Sequence, residues 1–171
     1  MNPLLAFYAE SGPDHRGRYL RDIVQQDDRW LETTHDYVQW LFPLYEPSGV
    51  LPSAPRIDAE VAAAFAADLR LRQTLHDSLL RMLSFYGLAD RDGRIGKGPN
   101  WPERKANWFT RPTHNNLRIT RILKCLCALG LRADAERLAA CLEVMRTTEA
   151  DCGVGATTFA YWRAAVEPRT P

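Results

Sequence analysis

The sequence of 171 residues is 46% hydrophobic and 25% charged, which excludes an intrinsically disordered chain and fits one domain with a sizeable core. Its 22 Lys and Arg residues oppose 21 Asp and Glu residues, and the net charge of +1 excludes a global attraction to nucleic acid or anionic membranes. No stretch approaches the roughly 18 apolar residues of a membrane-spanning helix, and the start does not resemble a signal peptide, so we expect a soluble protein.

The N-terminal half of the sequence predicts a leader followed by four helices. The leader, residues 1–17, is of uncertain order. Thr34 and Asp58 are predicted N-caps of the second and third helices, because their side-chain oxygens can accept from the free amides of a first turn. Asp68 is expected to restart the chain into the fourth helix. The four helices are predicted at about residues 18–26, 35–42, 59–67 and 68–86.

The longest irregular region is predicted between residues 88 and 112. Three glycines and a proline within residues 93–99 disfavour a regular element there, and Pro102 favours one short helical turn. Connections this long in compact domains are usually functional or disordered, and three large aromatic residues argue against disorder. We therefore expect an ordered loop that folds over the domain. Its large aromatic residues are Trp101, Trp108 and Phe109.

Three further helices are predicted after this loop, at residues 113–129, 134–148 and 156–166. Thr113 is the expected N-cap of the first and Asp134 of the second, while Gly130 ends the first. No strand-type alternation is found in the sequence. The pattern predicts an all-α, single-domain, non-repeating bundle of about six or seven helices with one long ordered loop, spanning residues 1–171.

The start of the 113–129 helix combines an apolar stripe with polar residues that share its side. Successive residues of a helix are about 100° apart, so Asn115 projects toward the same side as Ile122 and Leu126. A buried amide without a partner costs roughly 1–3 kcal/mol. Asn115 is therefore expected to be buried and hydrogen-bonded, and the helix start either forms an internal polar clamp or lines a binding site.

The binding interpretation makes this helix start a pocket for a peptide or a small anion. Free backbone N–H groups at a helix N-terminus attract carboxylate or phosphate, and arginine can bind either group through two hydrogen bonds. The clamp interpretation assigns the asparagines to holding the preceding loop and pairs the arginines with surface acids. The candidate ligand-binding residues are His35, Gln39, Trp108, His114, Asn115, Asn116, Arg118 and Arg121.

Two other classes of function are considered. An enzyme would use His35 or His114 as an acid or base, but no nucleophile motif or phosphate-binding loop is present, so no catalytic residue is assigned and a non-enzymatic function is favoured. A nucleic-acid or protein interaction domain would use the Trp- and Arg-containing loop 97–121, although the neutral net charge disfavours nucleic acid. No cysteine or histidine spacing predicts a metal site, and no cofactor is expected.

Two long motifs resemble a known family. They are H-D-Y-V-Q-W-L-F-P-L at residues 35–44 and H-N-N-L-R-I-T-R-I-L-K at residues 114–124, with S-F-Y-G-L at residues 84–88 between them. Together they resemble the conserved domain of the opioid growth factor receptor family over most of the chain. The resemblance implies a relation to animal receptors associated with Met-enkephalin binding, the nuclear envelope and restrained cell growth. It implies no catalytic or ligand-contacting residue.

Composition adds expectations about source and compartment. Frequent alanine and arginine with rare lysine indicate a GC-rich genome, and we expect a bacterial member of the family. No Lys/Arg-rich run of the kind that directs nuclear import occurs. The four cysteines include no C-x-x-C pair, so reduced thiols in a cytoplasmic protein are expected. The sequence does not indicate an oligomeric state.

Overall fold

The computed structural model describes residues 2–168, which contain ten α-helices and one antiparallel pair of strands. The predicted helical class is confirmed, but the predicted number of six or seven helices is wrong for this range, because helices of four to six residues are too short to show a period. No helix of residues 2–168 is long and apolar enough to cross a membrane. In chain order the elements are α1 (Pro3–Tyr8), α2 (Leu20–Val24), α3 (Asp28–Thr33), α4 (Val38–Leu41), α5 (Ala59–Ala67), α6 (Leu69–Phe85), β1 (Leu88–Arg91), β2 (Arg94–Lys97), α7 (Trp101–Arg104), α8 (His114–Ala128), α9 (Arg132–Thr148) and α10 (Ala156–Val166).

Helix α8 is at the centre of the packing. It lies against both α9 and α10, which also contact each other. Its apolar stripe, including Ile119, Ile122 and Leu126, is buried. Trp40 and Leu79 are buried in the same cluster. Burial of each such side chain contributes about 1.5–3 kcal/mol, so α8 is fixed in place along its length.

The predicted N-caps are partly correct. Asp58 accepts a hydrogen bond from the Val61 amide at 2.8 Å, and Asp68 accepts one from the Arg70 amide at 2.8 Å. Thr113 caps α8 as predicted. These residues satisfy amides that have no partner inside their helices and so determine where α5, α6 and α8 begin.

The predictions for Thr34 and Asp134 are wrong. Thr34 follows α3 as its C-cap, and α4 begins only at Val38, so the predicted helix over residues 35–42 is shorter. The Thr34 carbonyl oxygen accepts a hydrogen bond from Arg118, which holds the backbone there outside a helix. Asp134 lies in the first turn of α9, and its carboxylate contacts Arg137 and His76 instead of capping the helix.

The predicted leader of uncertain order is a helix packed into the core. Leu4, Phe7 and Tyr8 of α1 are buried, and the Phe7 ring meets the Trp40 ring edge-on at 5.3 Å between centroids. Tyr8 donates a hydrogen bond to the Leu41 carbonyl oxygen. The α1 helix is short, so its sequence shows less than two turns of apolar period, and its burial was not predictable from periodicity.

The expectation that no strand forms is also wrong. Strands β1 and β2 pair as a hairpin around Asp92 and Gly93, whose φ angles are 53° and 77°. Positive φ at both central residues is the requirement of a type I′ hairpin turn, and Asp-Gly is a preferred sequence for it. Each strand has four residues, so alternation is too brief to be recognised, whereas the Asp92–Gly93 pair was a usable signal.

The region between β2 and α8 is ordered, as predicted. Trp101, Trp108 and Phe109 are buried, and Trp108 donates through Nε1 to the Tyr86 carbonyl oxygen at 2.9 Å. Pro102 lies in the first turn of α7, the short helix expected there. The aromatic rings contact one another edge-on and cover one end of α8. This loop therefore positions the beginning of α8.

Candidate ligand-binding groove

The backbone amides at the start of α8 are already occupied. The Asn115 amide donates to Thr113 Oγ1 at 3.2 Å, and the Asn116 amide donates to the Thr113 carbonyl oxygen at 3.1 Å. Asn116 Oδ1 accepts in return from the Thr113 amide at 2.8 Å, which completes a capping box. Two of the amides expected to face an anion at the tip of the helix are therefore occupied by the chain's own groups.

Asn115 is fully buried and joins three segments. Its Nδ2 donates to Glu32 Oε2 at 3.1 Å and to the Asn107 carbonyl oxygen at 3.3 Å. Its Oδ1 accepts from Arg118 Nη1 at 3.3 Å. The amide thus satisfies both of its ends within the protein, as a buried polar group must. This geometry corresponds to the clamp interpretation for Asn115.

Asn116 holds the aromatic loop onto α8. Its Nδ2 donates to the Trp108 carbonyl oxygen at 3.2 Å, and its own carbonyl oxygen accepts from Trp162 Nε1 at 3.2 Å. Trp108 is fully buried and Trp162 nearly so, with ring centroids 6.4 Å apart. Trp108, Asn115 and Asn116 therefore connect the loop, α8 and α10, and none of the three lines a groove.

Arg118 is a buried cation that binds the backbone between α3 and α4. Its two Nη atoms donate to the Leu31 and Thr34 carbonyl oxygens, each at 2.8 Å. It is 6% exposed and lies 5.5 Å from the Tyr37 ring centroid. Burial raises the pKa of Tyr37 to about 12. Both backbone partners of Arg118 lie within residues 31–34.

Two histidines meet at the rim of this cluster. The His35 and His114 rings are edge-on with centroids 4.9 Å apart, and His114 Nε2 lies 3.4 Å from Glu32 Oε1. Partial burial and the neighbouring Arg118 cation lower the pKa of His114, and Glu32 opposes that shift. Among residues 2–168, no group of three or more His, Cys, Asp and Glu side chains is arranged to hold a metal ion.

A groove of about 390 Å³ runs beside α8, between this helix and residues 38–50. We call it the α8 groove. Five of the eight predicted ligand-binding residues line it, whereas the other three hold the loop. Its remaining lining includes the half-buried or exposed Leu44, Val50 and Leu117. The five predicted residues are His35, Gln39, His114, Arg118 and Arg121.

Gln39 is the unusual residue of the α8 groove. It is 5% exposed, and its Oε1 is buried without a hydrogen-bond partner among the described residues. Such an oxygen costs roughly 1–3 kcal/mol, so it is retained here at a loss of stability. Buried polar groups without a partner require a specific explanation, and Gln39 is also one of the residues that line the α8 groove.

Cations line the α8 groove beside apolar walls, and the Nζ atom of Lys124 lies 3.8 Å from Glu46 Oε1 outside the lining. Arg118, Arg121 and Lys124 project from one face of α8 at a spacing of three residues, and none of the described lining residues is an Asp or Glu. Arg121 Nη1 donates to the Phe42 carbonyl oxygen at 2.9 Å, and burial lowers its pKa. Val50 and Leu117 are 67% and 76% exposed at its edge. Cations beside exposed apolar side chains suit a ligand with an anionic and an apolar part.

Sequence reasoning missed several residues of this region. Glu32, which holds both Asn115 and His114, lies inside a short helix and has no motif around it. Val50 belongs to the proline-rich connector of residues 44–55, whose sequence has no pattern that indicates its path. Leu117 and Lys124 could have been found, because an apolar residue opposite the core stripe and a third cation at the same spacing are visible in the sequence.

Two lysines of the Trp- and Arg-containing loop are paired with acids. Lys97 Nζ lies 2.6 Å from Glu149 Oε1, and Lys105 Nζ lies 2.5 Å from Asp151 Oδ2. Arg104 donates to the Phe85 carbonyl oxygen at 2.6 Å. Neutralised cations attract phosphates weakly, which disfavours nucleic acid at this loop, while the loop as an interaction surface stays a prediction.

The structure also describes all four cysteines. Cys125, Cys127, Cys141 and Cys152 are free thiols. Burial raises the pKa of Cys125, Cys127 and Cys141, which makes these thiols poor nucleophiles. The cytoplasmic location that we inferred from reduced cysteines stays a prediction.

Comparison with known proteins gives vertebrate relatives. The opioid growth factor receptor of Homo sapiens is 40% identical over 121 residues, which cover 67% of this chain and 18% of the receptor. Opioid growth factor receptor-like protein 1 of Mus musculus is 35% identical over 135 residues, which cover 74% of this chain and 28% of that protein. The chain thus spans less than a third of the length of these relatives. They lend no support to the expected bacterial origin.

The match to a family is more extensive than the match to any of these relatives. Residues 5–169 match the family described as the opioid growth factor receptor (OGFr) conserved region. No solved structure matches the chain. The matched range includes α8 and the residues of the α8 groove, from His35 to Lys124. The chain therefore belongs to the opioid growth factor receptor conserved-region family.

Proposed function

We propose that this domain is a binding module whose α8 groove takes the end of a short peptide, with a carboxylate and an adjacent apolar side chain. The observation that carries the proposal is the buried, unpartnered Oε1 of Gln39 in a groove lined by Arg121 and Lys124. The proposed ligand lies along α8, whereas the sequence predicted a ligand at the N-terminus of this helix.

The chemistry of the groove assigns a role to each part of this ligand. The carboxylate is placed near Arg121 and Lys124, which supply charge-assisted hydrogen bonds. The apolar side chain packs on Val50 and Leu117, which are exposed without it. A peptide N–H of the ligand donates to Gln39 Oε1. A pocket of about 390 Å³ suits a ligand of a few residues.

The clamp behind the groove supports the proposal. Asn115, Asn116 and Arg118 fix α8 relative to residues 31–37 and the aromatic loop. A binding site preorganised in this way loses less conformational entropy when the ligand binds. The relatives named opioid growth factor receptor support a peptide as the ligand class, while the activity of those much longer proteins is not part of the proposal.

Calorimetric titration with acetyl-Ala-Ala-Ala-Leu as the free acid and as the C-terminal amide tests the proposal. One lost charge-assisted hydrogen bond is worth about 1.5–3 kcal/mol, so the acid should bind at least about tenfold more tightly. Gln39→Leu and Lys124→Met should each weaken binding of the acid. Arg70→Met is the matched control, because its side chain is 92% exposed on α6.

Gln39→Leu also separates a binding role from a structural one. Replacing an unpartnered buried oxygen with an apolar group should leave the free energy of unfolding unchanged or increase it. Equal binding of the acid and the amide, or full binding by Gln39→Leu, would reject the proposal. If Arg70→Met weakens binding of the acid as much as Lys124→Met does, the loss of affinity is caused by the change in net charge alone.

A further inference from the structure

A second groove, separate from the α8 groove, lies between strand β2 and helix α9. Its volume is about 420 Å³. Ile95 of β2 faces it across from Ala140, Cys141, Val144 and Met145 of α9. Val144 is 60% exposed. We call it the β2–α9 groove. Its long walls are a strand and a helix, and its floor is apolar.

The outer edge of β2 has backbone groups directed away from β1. The Gly98 amide donates to the Gly87 carbonyl oxygen at 2.8 Å, and the register then pairs Ala89 with Gly96 and Asp90 with Ile95. Hydrogen-bonded and non-hydrogen-bonded pairs alternate along antiparallel strands. Gly96 is therefore bonded to β1, whereas the N–H and C=O groups of Ile95 and Lys97 point to the free edge.

The dimensions of the two walls agree. The lining residues of α9 run from Arg137 to Thr148, which is about 16 Å at 1.5 Å per residue. The lining of β2 and its turn runs from Gly93 to Lys97, which is about 13 Å at 3.3 Å per residue, so the two walls are similar in length. An extended segment of about five residues fits between them.

The charges at the rim define the chemistry of such a segment. Arg94, Lys97 and Arg137 line the groove, and its described lining contains no acid. Lys97 and Arg137 already contact carboxylates, but Arg94 has no ion pair among residues 2–168. Arg137 Nε is buried and lacks a partner within the same range. Arg94 is therefore the lining cation that is free to meet a carboxylate.

We propose that the β2–α9 groove binds an extended acidic segment of a partner protein as a third strand beside β2. The backbone of the segment pairs with Ile95 and Lys97, alternate apolar side chains pack on Val144 and Met145, and its carboxylates face Arg94. Adding a strand to an exposed sheet edge is a recurrent mode of peptide recognition. A two-stranded sheet is marginal alone, so a third strand also stabilises the hairpin.

The probe for this site is fluorescein-labelled acetyl-Glu-Val-Glu-Val-Glu-amide, added to the full chain and followed by fluorescence anisotropy. Strand pairing uses alternate amides of the probe. Two methylated probes are compared, one N-methylated at the two valine amides and the other at the glutamate amides. One of these two probes should lose binding, and the other should bind like the unmodified probe. Equal effects of both sets, or no anisotropy change at millimolar protein, would overturn the proposal.

Amide exchange locates the bound probe. The Ile95 and Lys97 amides should exchange at least tenfold more slowly with the probe present, whereas the Gly96 amide, already bonded to β1, should change little. Val144→Glu places a carboxylate in the groove and should weaken binding at least tenfold. Leu69→Glu is the matched control, because Leu69 is 73% exposed on α6. Binding without protection of Ile95 and Lys97, or unchanged binding by Val144→Glu, would contradict the assignment.

Discussion

At the scale of single residues, Arg118 shows why a buried cation is compatible with this fold. Its guanidinium donates to two backbone carbonyl oxygens at 2.8 Å. These carbonyl dipoles compensate the charge for its lost hydration, and the carbonyl groups themselves need hydrogen-bond donors.

The sequence predicted that Asn115 is buried and hydrogen-bonded, because its position on the apolar stripe follows from helix geometry. The partners Glu32 and Leu31 were not predictable, since they lie more than 80 residues away.

Removing the Arg118 side chain should destabilise the protein. Arg118→Ala removes the side-chain donor to the Thr34 carbonyl oxygen, while the Leu31 carbonyl oxygen keeps only its hydrogen bond from Tyr37 Oη at 3.0 Å. We therefore expect a loss of about 1–3 kcal/mol in the free energy of unfolding. Arg118→Lys should recover only part of it, because one ammonium cannot reproduce the planar fork. Urea unfolding measures both. Arg111 is exposed and serves as the control. If Arg118→Ala lowers the free energy of unfolding by less than Arg111→Ala does, the assigned role of Arg118 is wrong.

His114 should make stability depend on pH. Its pKa is lowered in the folded state, so the unfolded chain takes up this proton more readily. The contribution is fully present above the ordinary value of 6.5 and is lost as the pH falls through the folded pKa. Acidification should therefore lower the Tm of the native sequence more than that of His114→Gln. Identical Tm profiles for the two proteins would refute this prediction.

At the scale of elements, long helices were predictable and short ones were not. Helices α6 and α8 show at least three turns of apolar period and begin at the predicted caps, and α10 shows a similar period without a side-chain cap. The sequence alone therefore placed all three to within a few residues. The helix predicted over residues 35–42 is longer than α4, because the hydrogen bond from Arg118 determines the backbone at Thr34 and no local sequence signal does. The hairpin was missed because its four-residue strands carry little pattern.

The connection between α9 and α10 contains a close approach that tests the loop packing. A Cβ on Gly153 would lie 1.9 Å from the Thr110 carbonyl oxygen, whereas one on Gly155 would have nothing within 4 Å. The Gly153 amide also donates to the Phe109 carbonyl oxygen at 2.9 Å. Gly153→Ala should cost about 1–3 kcal/mol through backbone displacement. Gly155→Ala, the control, should change thermal stability little, and equal effects would argue against this packing.

At the scale of the whole molecule, a single cluster of buried residues connects both ends of the described chain. Leu4 and Phe7 of α1 belong to the same cluster as Phe159 and Trp162 of α10. This long-range arrangement brings residues 35–50 against α8 and so forms the α8 groove. Five of its lining residues were predicted because they carry polar groups near the apolar stripe, while Val50 required the tertiary path of an irregular connector.

The burial of α1 predicts that the N-terminal segment is essential to stability. Phe7→Ala removes a fully buried ring and should lower the free energy of unfolding by about 3–5 kcal/mol. Tyr161→Ala removes an aromatic ring that is 62% exposed and should change it by less than about 0.5 kcal/mol. Urea denaturation followed by circular dichroism measures both. A Phe7→Ala protein as stable as Tyr161→Ala would mean that α1 is not part of the core.

The central claim is that the α8 groove binds a peptide carboxylate. The most direct measurement is a crystal structure of the protein grown with acetyl-Ala-Ala-Ala-Leu. The account predicts the peptide in the groove, with its carboxylate beside Arg121 and Lys124 and one of its N–H groups about 3 Å from Gln39 Oε1. A peptide bound elsewhere, or a groove occupied without contact to Gln39, would contradict it.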